Sequence, residues 1–181
     1  TDDRVLGESV IQRSLRFNGS SHYLERTPSG AGSNQMTFSF WIKRTKLGSG
    51  GAVFSSGENN ARGHIYFGTD DKLNCQPFNS SGANTNIVVD RYLRDTAAWY
   101  HIVLRVDTTN STANDRIRLY VNGEQVTDFA TNDGTTSQNL DTWVNDTTFD
   151  QYIGKAGYNN LYMDGYLAEI NMVDGSSLAP S

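Results

Sequence analysis

The sequence predicts an all-β sandwich. Short runs in which apolar and polar residues alternate recur along the 181 residues, separated by clusters of Gly, Asn, Asp, Ser and Thr. No segment carries the three-to-four spacing of an amphipathic helix. No apolar stretch approaches the ~18 residues that a membrane-spanning helix needs. This length suits one domain with a sizeable core. With no internal repeat, residues 13–181 are expected to form that domain, and residues 1–12, charged and weakly patterned, an arm or linker.

The first strand is expected over Ser14 to Phe17, turned by Asn18-Gly19, with Tyr23 and Leu24 resuming. Pro28 to Asn34 is a Gly/Ser loop. In Met36 to Lys43, Met36, Phe38, Phe40 and Ile42 face one way, and Thr37, Ser39, Trp41 and Lys43 the other. The turn Gly48-Ser-Gly-Gly51 leads to Ala52-Val-Phe-Ser55. Further strands are expected over Gly63 to Gly68, Lys72 to Phe78 and Thr85 to Val89, with Asp70-Asp71 in a tight turn.

Trp99 to Val106 is the central strand, with Tyr100, Ile102, Leu104 and Val106 on one face. A polar loop, Asp107 to Asp115, precedes the row Ile117, Leu119 and Val121. Asn122-Gly123 is the strongest hairpin signal in the chain, leading into Gln125 to Phe129. Thr131 to Asn139 reads as a long loop, Trp143 to Thr148 as a connection, and Phe149 to Gly154 as a strand. Lys155 to Leu161 precedes the last strand, which the turn Asp164-Gly165 opens. Strict alternation there puts Tyr166, Ala168, Ile170 and Met172 on one face, and Leu167, Glu169, Asn171 and Val173 on the other.

Net charge is −5, which argues against a nucleic-acid backbone as partner; Arg91, Arg94 and Arg105 are flanked by Asp90, Asp95 and Asp107. The single cysteine, Cys75, excludes an intramolecular disulfide and reads as a small buried strand residue. The chain opens at Thr1 with no signal-peptide pattern and ends at Ser181. A processed product and one module of a longer protein both fit.

Several chemistries lack their residues. Gly48-Ser-Gly-Gly51 has no Lys-Ser/Thr ending and opens no helix, so it is a turn and not a phosphate loop. There is no Gly-x-Ser-x-Gly elbow. His22, His64 and His101 are too dispersed for a zinc site.

Five segments carry a resemblance: Ser14-Leu-Arg-Phe-Asn-Gly19, Met36-Thr-Phe-Ser-Phe-Trp-Ile-Lys43, Trp99-Tyr-His-Ile-Val-Leu-Arg-Val106, Arg116-Ile-Arg-Leu-Tyr-Val-Asn-Gly123, and Tyr162 to Gly175. In this order and spacing, from about Arg13 to Val173, they resemble the laminin-G-like jelly rolls of the concanavalin A-like lectin/glucanase superfamily. The resemblance implies a two-sheet antiparallel jelly-roll sandwich. It departs from animal matrix members, which often carry a disulfide near the C-terminus. Ser14 to Asn18, Tyr23 to Gly32, Phe40 to Arg44, Gly165 to Gly175 and Leu178 to Ser181 also resemble jelly-roll domains of tailed-bacteriophage virion proteins.

Because glucanases share the superfamily, glycoside hydrolysis is the enzyme to test. It needs two carboxylates flanking the scissile bond, which the glucanase relatives place at alternate positions of one strand. No such pattern occurs: Asp164 and Glu169 differ in parity, and Glu124 and Asp128 bracket a hairpin. The chain is therefore read as non-catalytic.

Two surfaces are candidates for binding. Parity groups Trp41, His101, Arg105, Arg118, Tyr120 and Glu169 into one polar layer, either a binding surface or scaffold. The loops are the second. Tyr158, Asn159, Asn160 and Tyr162, Trp143 with Asn145 and Asp146, and Asn59 with Arg62 offer the aromatic-and-amide mixture that sugar binding uses. The competing reading is ordinary polar loops with aromatics folded onto the core edge.

Family members often bind calcium at a sandwich rim, which points to Asp70 with Asp71, and to Asp107 with Asn110 and Asp115; neither set has EF-hand spacing. Asn18, Asn79, Asn110 and Asn145 are glycosylation sequons, without meaning in a bacterial or viral setting.

The expected function is a carbohydrate- or receptor-binding module on a phage fibre, spike or tail, at the virion surface. Expected partners are a host-surface glycan or receptor, other virion proteins, and copies of itself, with neither nucleic acid nor membrane. A structural decoration or head-fibre domain is the alternative; a depolymerase comes third.

Overall fold

The computed structural model describes residues 12–30, 32–58, 61–76, 79–80, 83–132, 136–142 and 146–180. In chain order the strands are β1 (Leu15–Asn18), β2 (Leu24–Arg26), β3 (Gln35–Arg44), β4 (Gly51–Glu58), β5 (Ala61–Phe67) and β6 (Lys72–Gln76). Next come β7 (Asn79–Ser80), β8 (Ala83–Asn84), β9 (Ile87–Tyr92), β10 (Tyr100–Asp107), β11 (Ile117–Val121) and β12 (Glu124–Gln125). The last are β13 (Phe129–Asn132), β14 (Gln151–Ile153) and β15 (Asp164–Asp174). A single 3-10 turn, Ala113–Asp115, is the helical element among the described residues.

Two antiparallel sheets form the predicted sandwich. One runs β1-β15-β3-β10-β11-β12, the other β13-β9-β6-β5-β4-β14-β2; β7 and β8 pair as a small ribbon. The alternation read from sequence sets the inner rows. Phe40 pairs with Ile102 and Ile102 with Val121; Phe38 pairs with Leu104 and Leu104 with Leu119. Facing them are Phe54, Ile65, Phe67, Leu73, Cys75 and Val89 of the other sheet. Phe40, Ile42, Leu73, Ile102 and Leu167 are fully buried, and each such side chain contributes about 1.5–3 kcal/mol. Cys75 lies in this core, and burial pushes its thiol up to about 12.

Two expectations fail in instructive ways. Strict alternation does not run the length of β15. Register against β3 shifts between Ala168 and Asn171, and Glu169 adopts φ +47. This is a β-bulge, which reverses the parity of the residues beyond it. Leu167 lies opposite Ile42 and Met172 opposite Phe38, so the inner row passes from Leu167 to Ile170 and Met172. Tyr166 and Ala168 lie on the outer face, opposite Lys43 and Trp41, with Ala168 buried there. The second failure is the hairpin after Asn122-Gly123. Its return strand is only Glu124–Gln125; Val126 then turns into the core, and the chain crosses to the other sheet as β13. β13 also takes Thr131 and Asn132 from the expected loop. The expected strand end at Pro77 and Phe78 lies outside the described residues.

A buried ionic junction joins the two sheets. Asp71, at φ +65 in the turn between β5 and β6, receives Arg44 Nη2 at 2.7 Å, Arg94 Nε at 3.0 Å and the Gly48 N–H at 2.8 Å. Arg44 Nη1 also donates to the Leu93 carbonyl at 3.0 Å, and its guanidinium lies over the Phe67 ring. Burial pushes the Asp71 carboxyl up, but the Gly48, Arg44 and Arg94 donors outweigh it and hold it below its ordinary 3.8.

Candidate functional site

The outer face of the seven-stranded sheet collects aromatic rings around β14, β4 and β5. Register places Tyr152 opposite Ser55 and Glu25, and Ser55 opposite His64. Tyr66, two residues beyond His64, shares its face and packs edge-on against it with centroids 4.4 Å apart. Tyr23, just before β2, lies 6.1 Å from Tyr152 and 6.3 Å from Tyr162. Such tilted pairs each contribute about 0.5–1.5 kcal/mol beyond their burial.

The segment between β14 and β15 folds back over this face. Lys155 and Tyr162 form an antiparallel bridge, and Tyr162 bridges to Ala52. Ser55 Oγ donates to the Lys155 carbonyl and accepts the Gly157 N–H, both at 3.0 Å. Asn159 Oδ1 accepts the Leu161 N–H at 3.1 Å, closing the tip of the turn. The fold-back seats Tyr158 on His64, with centroids 5.4 Å apart and planes 21° from parallel. It also hangs the Lys155 ammonium over two rings, 4.4 Å from the Tyr23 centroid and 4.7 Å from that of Tyr152. The surface offers several π faces, one ammonium and the exposed amides of Asn159 and Asn160. A pyranose can stack its C–H face on such rings while its hydroxyls meet the polar groups.

Four of the residues expected from sequence therefore belong to one surface: Tyr158, Asn159, Asn160 and Tyr162. Arg62 lies in β5 opposite Gly57, two positions before His64. Asn59, Trp143 and Asn145 lie outside the described residues. Sequence reasoning missed Tyr23, His64, Tyr66, Tyr152 and Lys155. The period-two pair His64 and Tyr66 was visible; the ladder that brings Tyr152 beside them was not.

The opposite face, on the six-stranded sheet, bears the predicted polar layer. His101 pairs with Trp41 across β10 and β3, and their rings stack with centroids 4.9 Å apart. Ser39 Oγ and His101 Nε2 are hydrogen-bonded at 2.9 Å. Desolvation holds His101 below its ordinary 6.5, against the pull of the Glu169 carboxylate that the bulge brings near. Ser39, His101 and Glu169 have the composition of a nucleophilic triad. However, Ser39 lies mid-sheet between Val103 and Asn171, where the ladders engage the backbone N–H groups an oxyanion hole would need. Arg105 pairs opposite Arg118, and its Nε donates to Ser177 Oγ at 2.6 Å, so the C-terminal segment covers that end of the layer.

The calcium candidates lie in different loops. Asp71 is committed to its two arginines. Asp70 accepts the Lys72 N–H at 3.2 Å. Asp107 receives Gln35 Nε2 at 3.1 Å, Asn110 Oδ1 receives the Thr112 N–H at 2.9 Å, and Asp115 pairs with Arg118 at 2.8 Å. No group of three His, Cys, Asp or Glu side chains is gathered for a metal among the described residues. A cleft of about 360 Å³ opens between the sheets, lined by Leu24, Arg26, Phe38, Phe54, Ile170 and Met172 among others. It lies on the inner side of β2 and β14, behind the tyrosine face.

Sheet order and covering loop define a laminin-G-type jelly roll. Residues 18–179 match the Laminin_G_3 family, described as the concanavalin A-like lectin/glucanases superfamily, and the chain belongs to it. No curated protein sequence matches the chain. Among solved structures, it resembles the CBM40 domain of the Ruminococcus gnavus IT-sialidase bound to α2,3-sialyllactose. That likeness has TM-score 0.65 at 12% identity, over 94% of this chain and 92% of that one. Domains LG4-5 of the mouse laminin α1 chain give TM-score 0.62 at 17% identity, over 94% of this chain and 45% of the laminin pair, so this chain spans about half of that length. The native heptameric SAP-like pentraxin of Limulus polyphemus gives TM-score 0.61 at 20% identity, over 91% and 76%. At such identities these likenesses concern the fold.

Proposed function

We propose that the chain is a non-catalytic carbohydrate-binding module on a bacteriophage virion appendage, engaging a host-surface glycan. The observation that carries the sugar-binding part is the tyrosine face: Tyr23, Tyr152, Tyr158 and Tyr162 gathered beside His64 and Lys155. The CBM40 likeness, a domain bound to sialyllactose, is in keeping with it. The virion setting rests on the segments quoted from the sequence. Several copies on one appendage would multiply weak sugar contacts through avidity.

The non-catalytic reading is supported by where the carboxylates go. Asp164 is held by Arg16 and by Thr45, both at 2.7 Å, Asp71 by Arg44 and Arg94, and Asp107 by Gln35. Burial pushes Asp164 up, but those partners outweigh it and hold it below its ordinary value, the opposite of what a glycosidase acid needs.

The second reading, a virion decoration domain that binds no sugar, draws on the apolar cleft behind β2 and on Leu24, 47% exposed at its mouth. The test is a broad bacterial-glycan array probed with multivalent wild-type protein, with and without calcium. A saccharide signal supports the module; a blank array from folded multivalent protein transfers the case to the decoration reading.

A further inference from the structure

The tyrosine face carries a group that a neutral sugar does not require. Lys155 is half-buried, with its ammonium above the rings of Tyr23 and Tyr152. No carboxylate pairs with it among the described side chains, whereas Lys72 of β6 is matched by Asp90 at 2.7 Å. The backbone beneath it is fixed, since its carbonyl accepts the Ser55 hydroxyl and Lys155 itself bridges to Tyr162. Ring faces attract an ammonium through their quadrupoles, but they supply no anion to its N–H donors. In a chain of net charge −5, the result is a positioned cation with no counterion among the described side chains, set among stacking surfaces.

The geometry points to a glycan bearing negative charge as the ligand class of this face, its anionic group meeting Lys155 while a sugar ring lies along the neighbouring tyrosines. This rests on the sugar-binding reading above. A lysine head is a point charge and accepts carboxylate and sulfate alike, so uronates and sulfated sugars share the chemistry. Among the described side chains, the ladder places the opposing charge of Glu25, exposed, opposite Tyr152. A lysine serving only to cover the rings with its aliphatic stem would weaken acidic and neutral ligands equally when replaced.

The test titrates the chain with a uronic-acid oligosaccharide, its carboxyl-reduced neutral counterpart and a sulfated oligosaccharide, at low and high salt. The acidic form should bind about tenfold tighter than the reduced one, as for a charge-assisted contact, with the margin narrowing in salt. Lys155→Gln should bring the acidic-to-neutral ratio close to one, with acidic affinity falling much further than neutral affinity. Glu25→Gln should raise acidic affinity about twofold by removing a repulsion, and it tests the inference even if Lys155→Gln does not fold. Comparing uronate with sulfate identifies the source of the charge. Equal binding of the acidic and reduced sugars, or a ratio that survives Lys155→Gln, overturns the inference while the sugar-binding reading stands. Failure of every sugar to bind removes both.

Discussion

The ring of Tyr158 stacks on the imidazole of His64, centroids 5.4 Å apart, and so clamps the segment between β14 and β15 to the sheet beneath it. His64 is 3% exposed under this cover. Tyr158→Ala should uncover it, loosen the turn and reduce glycan binding at least about tenfold, as expected for loss of an aromatic anchor. The global melting temperature should fall by only a few degrees, because the clamp is peripheral to the core. Glycan titration beside a thermal melt separates the two effects.

Gly157 sets how closely that segment approaches. A Cβ there would lie 2.7 Å from Tyr152 Cε2 and 3.0 Å from its Cδ2. Gly157→Ala should therefore tilt Tyr152 and move the Lys155 side chain above it. Weakened glycan binding with a nearly unchanged melting temperature is the expected result, from the same pair of measurements.

Asp71 ties the turn between β5 and β6 to β3 and to the segment around Leu93. Removing one partner from a buried ion pair leaves uncompensated charge, so Asp71→Asn should cost about 3 kcal/mol, towards the low end because the junction sits just beneath the surface. The folded Asp71 carboxyl titrates below 3.8. Its contribution is therefore present above pH 3.8 and is lost as pH falls through the lower folded value. Denaturant unfolding from pH 7 to pH 2 should show wild type and variant converging in stability at the acid end.

His101 gives a second pH signature at milder acidity. Its folded pKa lies below 6.5, so the unfolded chain binds the proton first. Stability should decline as pH falls from 6.5 to the folded value and then level off. His101→Gln should flatten that step, and Trp41 fluorescence should report the same protonation because the rings stack. A thermal-melt series between pH 8 and pH 4.5 checks both.

Local alternation was legible in the sequence; register was not. β3, β10 and β11 could be read because Phe38, Phe40, Ile102, Leu104 and Leu119 recur at period two and point inward together. The bulge in β15 was hidden, since Glu169 has no residue-type signature for φ +47 and alternation alone assigned Ile170 and Met172 the wrong companions. The crossing after β12 was masked by the strong Asn122-Gly123 turn, which fixes a hairpin but not the length of its second arm. Tyr158 and Tyr162 could be proposed from an aromatic-and-amide loop. Tyr23, Tyr152 and Lys155 join them only through the pairing of β14 with β2 and β4 and the bridge from Lys155 to Tyr162.

The most direct measurement takes the best saccharide from an array and titrates it against wild type, Tyr152→Ala and Trp41→Ala, with folding verified by circular dichroism. Binding through the tyrosine face predicts a loss of about tenfold or more for Tyr152→Ala, and affinity within about twofold of wild type for Trp41→Ala on the opposite sheet. Loss confined to Trp41→Ala, with Tyr152→Ala binding normally, would contradict the account and move the site to the His101 face.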